Sequence, residues 1–103
     1  MKYWIADIVE RNGEFEYTQA IIFKAETYEK ADDTHKFHTR TWYGEGHMQR
    51  DEIYNCYWND HVAVTEGRMT EIDENTFDQM RKHGLPDLTR MFTSRKGTSN
   101  ASN

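Results

Sequence analysis

The feature that most constrains this chain is a pair of strand-like segments separated by Asn12-Gly13. Residues 2–10 and 14–25 are both rich in β-branched and aromatic side chains, which favour strands. Asn-Gly is the strongest short turn signal in a sequence, because both residues readily take the positive φ angles of a tight hairpin turn. The sequence therefore predicts one long β-hairpin over residues 2–25.

The sequence pattern leaves the register of this hairpin open. A two-residue loop at Asn12-Gly13 would place Trp4 opposite Ile21, whereas a three-residue loop with a bulge would place Tyr3 opposite Ile21. Periodicity does not choose between them, because both faces of the hairpin carry apolar side chains. A small domain has one helical layer to cover one face, so the other face is expected to stay partly exposed or to meet a partner.

A helix is predicted over residues 26–43. Thr27 suits the N-cap, because its hydroxyl can accept a hydrogen bond from a free backbone N–H group, and Gly44 can end the helix in a left-handed conformation. One helical face is marked by residues at spacings of four, three and four, namely Ala31, His35, His38 and Trp42.

Residues 53–58 and 61–69 form a second predicted hairpin, with Asn59-Asp60 as its two-residue turn. Gly67 marks either a bulge or the fraying end of the fourth strand. The segment between the first helix and this hairpin, residues 45–52, is polar and is predicted to be a loop.

A second helix is predicted to begin at Asp73, a good N-cap residue. Ile72 and Phe77 flank this cap in the hydrophobic-staple arrangement. Gly84 and Pro86 then end the helix, because glycine adopts the left-handed conformation and proline cannot continue a helix.

The predicted order is therefore strand, strand, helix, twice over. We expect an α+β fold of order ββαββα, in which one four-stranded antiparallel sheet carries both helices packed on one face. Residues 1–93 are expected to form a single domain. The small polar residues 94–103 are expected to be a disordered tail.

The net charge of −5 argues against direct binding to nucleic acid. Arg95 and Lys96 lie in the tail, so residues 1–93 carry −7, and phosphate backbones repel a surface of that sign. An alternative interpretation is an acidic protein that mimics nucleic acid and inhibits a basic, nucleic-acid-binding partner. No apolar run approaches the length of about 20 residues that spans a bilayer, so we expect a cytoplasmic protein without membrane contact.

No catalytic or cofactor-binding motif stands out in the sequence. Cys56 is the one cysteine, which excludes an internal disulfide and a zinc site built from cysteines. His35 and His38 lie on one side of the first predicted helix and are the weak candidates for a metal site. A small histidine-dependent enzyme or metal-binding protein is therefore the third interpretation, after the acidic mimic, and the first expectation is a protein without enzyme activity or cofactor.

The exposed sheet face is the main functional prediction. We expect it to bind a protein partner, with a second copy of the chain as one candidate, through Tyr3, Ile5, Val9, Ala20 and Ile22. In the other register, the same role would fall to the face of Trp4 and Ile8. The competing interpretation is that the segment with Leu88, Met91 and Phe92 covers this face within one molecule.

Two segments of the first half carry a resemblance, the run DIVERNGEFEY over residues 7–17 and WYGEG over residues 42–46. Together with Val-Ala-Val at residues 62–64, they resemble small uncharacterised proteins of tailed bacteriophages, including those of cyanobacteria. The resemblance implies a small accessory protein that binds a host or viral macromolecule. The leading expectation is thus a non-enzymatic binding or regulatory module.

Overall fold

The computed structural model describes residues 1–90, so Met91, Phe92 and the predicted tail over residues 94–103 lie outside the described residues. Five strands and two helices form over residues 1–90. In chain order these are β1 (Lys2–Asn12), β2 (Phe15–Ala25), α1 (Tyr28–Arg40), β3 (Gln49–Asp51), β4 (Cys56–Asn59), β5 (Val62–Ile72) and α2 (Glu74–Lys82).

The strands form one antiparallel sheet with the order β2-β1-β5-β4-β3. The predicted α+β class is confirmed, but the predicted number of four strands is wrong. The fifth strand, β3, lies in the segment predicted to be a polar loop. Its residues are Gln, Arg and Asp, so it lacks the apolar alternation that indicates a strand, and it forms by pairing Arg50 with Tyr57 of β4.

Both hairpin turns lie one residue later than predicted. Asn12 pairs with Phe15, so the first turn is Gly13-Glu14 and both predicted registers are wrong. Asn59 pairs with Val62 in the same way. In each turn the positive φ falls on the residue after the asparagine, at 63° for Gly13 and 56° for Asp60.

Helix α1 covers one face of the sheet, which we call the α1 face and which carries Trp4, Ala6 and Ile8. These three side chains are buried. The predicted cap is confirmed, because the Thr27 hydroxyl accepts the Lys30 N–H at 3.2 Å. The face of α1 that packs on the sheet is the predicted one, with Ala31 and His35 buried.

Helix α2 lies on the opposite face of the sheet, so the prediction that both helices share one face is wrong. Its Phe77 ring lies 5.1 Å from the ring of Tyr3, and side chains of successive strand residues point to opposite faces. The reason is local. Ile72 at the end of β5 pairs with Tyr3 and shares its face, and Asp73 caps α2 directly afterwards without an intervening loop.

The predicted boundaries of α2 are confirmed. The Asp73 carboxylate accepts the Thr76 N–H at 2.7 Å, and the Leu85 N–H donates to the Met80 carbonyl at 3.1 Å. Gly84 takes a φ of 99°, the left-handed conformation that this helix end requires.

A bulge interrupts the pairing of β1 with β5, so the first of the two alternatives for Gly67 is correct and the strand continues to Ile72. The register shifts between Ala6 and Ile8, so that Asp7 faces two residues of β5 instead of one. The Asp7 carbonyl lies 2.7 Å from the His35 Nε2 atom, which donates to it from α1. The bulge therefore connects the middle of the sheet to the helix that covers it.

Residues 86–89 continue the sheet beyond part of β2. The Ile22 N–H donates to the Pro86 carbonyl at 3.0 Å, and the Leu88 N–H donates to the Ile22 carbonyl at 2.8 Å. The Lys24 N–H donates to the Thr89 hydroxyl at 2.9 Å. This edge segment covers the C-terminal end of β2 and leaves its N-terminal end uncovered by any residue of 1–90.

Candidate functional site

The face of the sheet opposite α1 is only partly covered, and we call it the open face. On β1 it carries Tyr3, Ile5, Asp7 and Val9, all half-buried, whereas the side chains that alternate with them are buried under α1. Helix α2 covers one end, where Phe77 packs on Tyr3. Most of this face therefore stays open to solvent in the described part of the chain.

The structure places the five predicted partner-binding residues on this one face but in different environments. Ile22 is fully buried, and Tyr3 is in contact with α2. Ile5, Val9 and Ala20 are half-buried in the middle of the open face. The alternative pair, Trp4 and Ile8, lies in the core under α1.

The C-terminal end of the described chain leaves the sheet on the α1 face. The His38 Nε2 atom donates to the Leu88 carbonyl at 2.7 Å, and Leu88 packs against the core. The Arg90 guanidinium lies 4.0 Å from the centre of the Phe37 ring of α1. Residues 88–90 therefore do not cover the open face. The other two residues proposed to cover it, Met91 and Phe92, lie outside the described residues.

A shallow groove of about 400 Å³ continues the open face across β5 and β4. Tyr54 and Trp58 are its aromatic lining residues, and Tyr54 is 73% exposed. The other residues that line it are Arg11, Cys56, Ala63 and Thr65. The sequence prediction missed this groove, because Trp58 reaches the open face only through the pairing of β4 with β5 and of β5 with β1, which its own segment does not show.

Asp51 fixes the geometry of one side of the groove. Its carboxylate accepts the Trp58 indole N–H at 2.9 Å and the backbone N–H groups of Ile53 and Tyr54 at 3.0 and 3.1 Å. These hydrogen bonds hold the pKa of Asp51 below its usual value, and the bond from Trp58 has the largest effect. The carboxylate therefore stays ionised at neutral pH and holds Trp58 in one orientation.

Cys56 forms part of the groove but is only 3% exposed. Burial raises the pKa of its thiol above the usual value, so the thiol stays protonated at neutral pH. A protonated, buried thiol is a poor nucleophile. The chemistry of Cys56 therefore argues against cysteine-based catalysis in the groove.

Glu10 is a buried carboxylate on the α1 face. It accepts hydrogen bonds from the Gln19 amide at 2.7 Å, the Trp42 indole at 3.1 Å and the Tyr43 hydroxyl. The hydrogen bond to Glu10 raises the pKa of Tyr43 above its usual value. Three donors occupy this carboxylate, so its contribution is to join the sheet to the end of α1.

The two candidate metal ligands point to backbone carbonyls. The Nε2 atom of His35 donates to Asp7, and that of His38 donates to Leu88, each at 2.7 Å. Among residues 1–90, no three His, Cys, Asp or Glu side chains lie close enough together to hold a metal ion. These contacts give both histidines a role in joining α1 to its neighbours.

We expect the stability of the domain to fall in mild acid, partly through His38. Burial is the largest cause that lowers the pKa of His38, so the folded state favours the neutral ring. The contribution of a group with a lowered pKa is fully present at pH values above its ordinary pKa, about 6.5 for histidine. It is lost as the pH falls below that value, because the unfolded state then binds a proton more readily than the folded state. Urea midpoints measured at about pH 7.5 and about pH 5.5 should differ less for His38→Gln than for the wild type. An equal pH dependence in both proteins would contradict this assignment.

Comparison with models of protein families, with curated proteins and with solved structures finds no match for this chain. Within residues 1–90, neither helix has the length and apolar character needed to cross a lipid bilayer.

Proposed function

We propose that this protein is a small, non-enzymatic binding module whose open face takes up an amphipathic helix of a partner protein. The observation that carries the proposal is the incomplete covering of the sheet. One face is closed by α1, whereas α2 covers the other face only at one end, at Tyr3 of β1 and Lys24 of β2. A helix packed beside α2 would complete the second layer of the domain.

The open face has room for such a helix. Val9 lies about 20 Å from Tyr3 along β1, at about 3.4 Å per residue. A helix with its side chains is about 10 Å wide, so a second helix fits beside α2 over Ile5, Val9 and the groove. Trp58 would supply the large, oriented aromatic contact that often dominates binding energy at an interface.

The charge of the chain selects the chemistry of the partner. At a net charge of −5, the protein attracts basic surfaces over distances of about 10 Å at moderate ionic strength. On the open face, the apolar side chains of Ile5 and Val9 lie on either side of Asp7, and Arg11 follows Val9. The proposed partner is therefore a helix with an apolar stripe and basic flanking residues.

Acidic mimicry of nucleic acid is less well supported by the arrangement of charges. Such a mimic needs rows of negative charge without opposing bases. Here several exposed acidic side chains are paired with bases, as in Lys30 with Glu26 at 2.7 Å and Lys36 with Asp32 at 2.5 Å. The resemblance to small tailed-phage proteins is consistent with the proposed module, because it implies binding to a host or viral macromolecule.

Binding is expected to weaken when a charge replaces an apolar side chain of the open face. A displayed library of helix-forming peptides should yield binders with apolar residues every three or four positions and basic flanks. Val9→Glu should weaken these binders at least about tenfold, or about 1.4 kcal/mol, because the carboxylate would be buried against their apolar stripe. Titration calorimetry measures this change.

The matched control is Asn75→Glu, which adds the same charge at an exposed position of α2. It should leave the affinity within about twofold, and circular dichroism should show that both variants are folded. NMR shifts on binding should map to Ile5, Val9 and Trp58. Selected peptides that bind Val9→Glu as tightly as the wild type would exclude the open face as the binding site.

A further inference from the structure

The uncovered part of the β2 edge offers hydrogen-bonding groups that no residue of 1–90 satisfies. Ile22 and Lys24 direct their backbone N–H groups away from β1, since both bond to the edge segment. In an antiparallel pair this direction alternates along the strand, and the β1–β2 register is uniform. Glu16, Thr18 and Ala20 therefore direct their N–H and C=O groups outward from the sheet.

We propose that two copies of this chain associate through this edge, with their β2 strands antiparallel about a two-fold axis at Tyr17. Glu16 of each copy would then pair with Thr18 of the second copy. The two pairs supply four backbone hydrogen bonds and join two five-stranded sheets into one. This inference concerns the edge of the sheet and does not depend on the function proposed for the open face.

The covered end of β2 restricts the registers that a second copy can adopt. Asp87 pairs with Ile22 and occupies the position of the next strand there. An axis at Thr18 would place Glu14 of the second copy beside Ile22, where Asp87 already lies. An axis nearer to Ile22 would place a later β2 residue of the second copy there, with the same overlap. An axis at Tyr17 avoids this overlap, because the β2 strand of the second copy has already turned into its hairpin loop.

Charge repulsion excludes the register with the axis one residue earlier in β2, at Glu16. An axis at Glu16 would place the two Glu16 carboxylates directly opposite each other, and like charges at opposed positions are destabilising. With the axis at Tyr17, Glu16 lies opposite the neutral Thr18, and its own carboxylate is paired with Arg11 of the same chain. The edge is thus compatible with a second copy in one register.

Exposed aromatic rings lie at the positions where this register brings side chains of the two β2 strands opposite each other. Tyr17 is 59% exposed and Phe15 is 68% exposed, both on the α1 face of the sheet. Tyr17 would lie opposite Tyr17 of the second copy, and Phe15 opposite its Gln19. Aromatic pairs across antiparallel strands are stabilising, by about 0.2–1 kcal/mol relative to alanine.

The helices leave room for this association. Helix α1 packs across β1, with contacts to β2 and β5 on either side. The two β1 strands would be three strand spacings apart, or about 14 Å, at about 4.8 Å each. Packed helices need only 8–10 Å, roughly, between their axes, so the two α1 helices would not collide.

The first test is the mass of the wild type by sedimentation equilibrium from about 10 µM to about 1 mM. The interface is small, so we expect a monomer of 12.3 kDa to convert to a species of twice that mass over this range. Thr18→Pro should remain monomeric, because proline lacks the outward N–H group but spares the bonds to β1. Thr18→Ala keeps that N–H group and should dimerise like the wild type.

The second test determines the register. Across a non-hydrogen-bonded pair the two Tyr17 Cα atoms would be about 4.5 Å apart, so Tyr17→Cys should form an intermolecular disulfide on mild oxidation. Phe15→Cys is the matched control, because its two copies would be about 13 Å apart. A wild type that stays monomeric to about 1 mM, a dimeric Thr18→Pro, or equal cross-linking of the two cysteine variants would each overturn the proposal.

Discussion

Replacing Phe77 with alanine is expected to destabilise the domain by about 3–5 kcal/mol, the range for a fully buried phenylalanine. Phe77 is the one fully buried side chain of α2, and its ring contacts Tyr3 and lies 5.7 Å from the Lys24 amino group. Without it, the half-buried Met80 is the one apolar side chain left on α2. We therefore expect α2 to detach first, which would expose Tyr3.

Urea unfolding measures the total loss, and hydrogen exchange separates a local effect from a global one. Amides of α2 should lose protection before those of β1. Phe15→Ala is the matched control, because the same change at a 68% exposed ring should cost less than about 0.5 kcal/mol at a protein concentration that keeps the chain monomeric. A loss of comparable size in both variants would show that α2 is not held by Phe77.

Gly67→Ala is expected to cost about 1–3 kcal/mol, because the bulge leaves no room for a methyl group. A Cβ atom at this position would lie 2.8 Å from the Asp7 Cβ atom, 3.2 Å from the Val9 Cγ2 atom and 3.3 Å from the Asp7 carbonyl oxygen. Two of these atoms belong to or adjoin the backbone of the central strand, so they cannot move aside alone. The strain would also reach the bond from His35 to Asp7.

The measurement is again a urea midpoint, combined with the NMR signal of the His35 ring. Arg68→Ala is the control at the adjacent position. Its side chain is 92% exposed and reaches Asp7 only at 3.8 Å, so its loss should change stability by less than about 0.5 kcal/mol. If Gly67→Ala were as stable as Arg68→Ala, the conclusion that β5 and β1 leave no room for a methyl group at the bulge would be contradicted.

The features of this fold that depend on neighbouring residues in sequence could be predicted. Thr27 and Asp73 cap their helices through bonds to residues three positions away, and Gly84 ends α2. Gly67 indicated a bulge or a strand end by its residue type alone, and only the pairing of β1 with β5 decides for the bulge. The cap and stop signals operate within a few residues, so a sequence pattern contains them completely.

The features that depend on distant pairing could not be predicted. Asn-Gly and Asn-Asp mark the turns, but the sequence does not show which of their residues remains paired. Each actual turn lies one residue later than the predicted two-residue loop, which shifts every pairing partner by two residues. Strand β3 has no apolar pattern of its own and exists through its pairing with β4. The placement of α2 depends on the side to which Ile72 points, which the register of β5 decides.

The candidate site was predicted in part for the same reason. Alternation along β1 identifies Tyr3, Ile5 and Val9 as one face whatever the partner strand is. Assigning the open side to this face required the position of α1, which buries Trp4 and Ile8. Trp58 joins the site through a pairing across three strands and could not be assigned from its own segment.

The order β2-β1-β5 has a consequence for synthesis on the ribosome. β1 meets β2 within a few residues, but its other neighbour is β5, and Tyr3 pairs with Ile72. The nascent chain therefore carries a hairpin with one bare long side until the residues of β5 have emerged from the exit tunnel. Completion of the sheet is therefore a late, long-range event, which slows folding and leaves the free edge of β1 exposed to aggregation until β5 pairs with it.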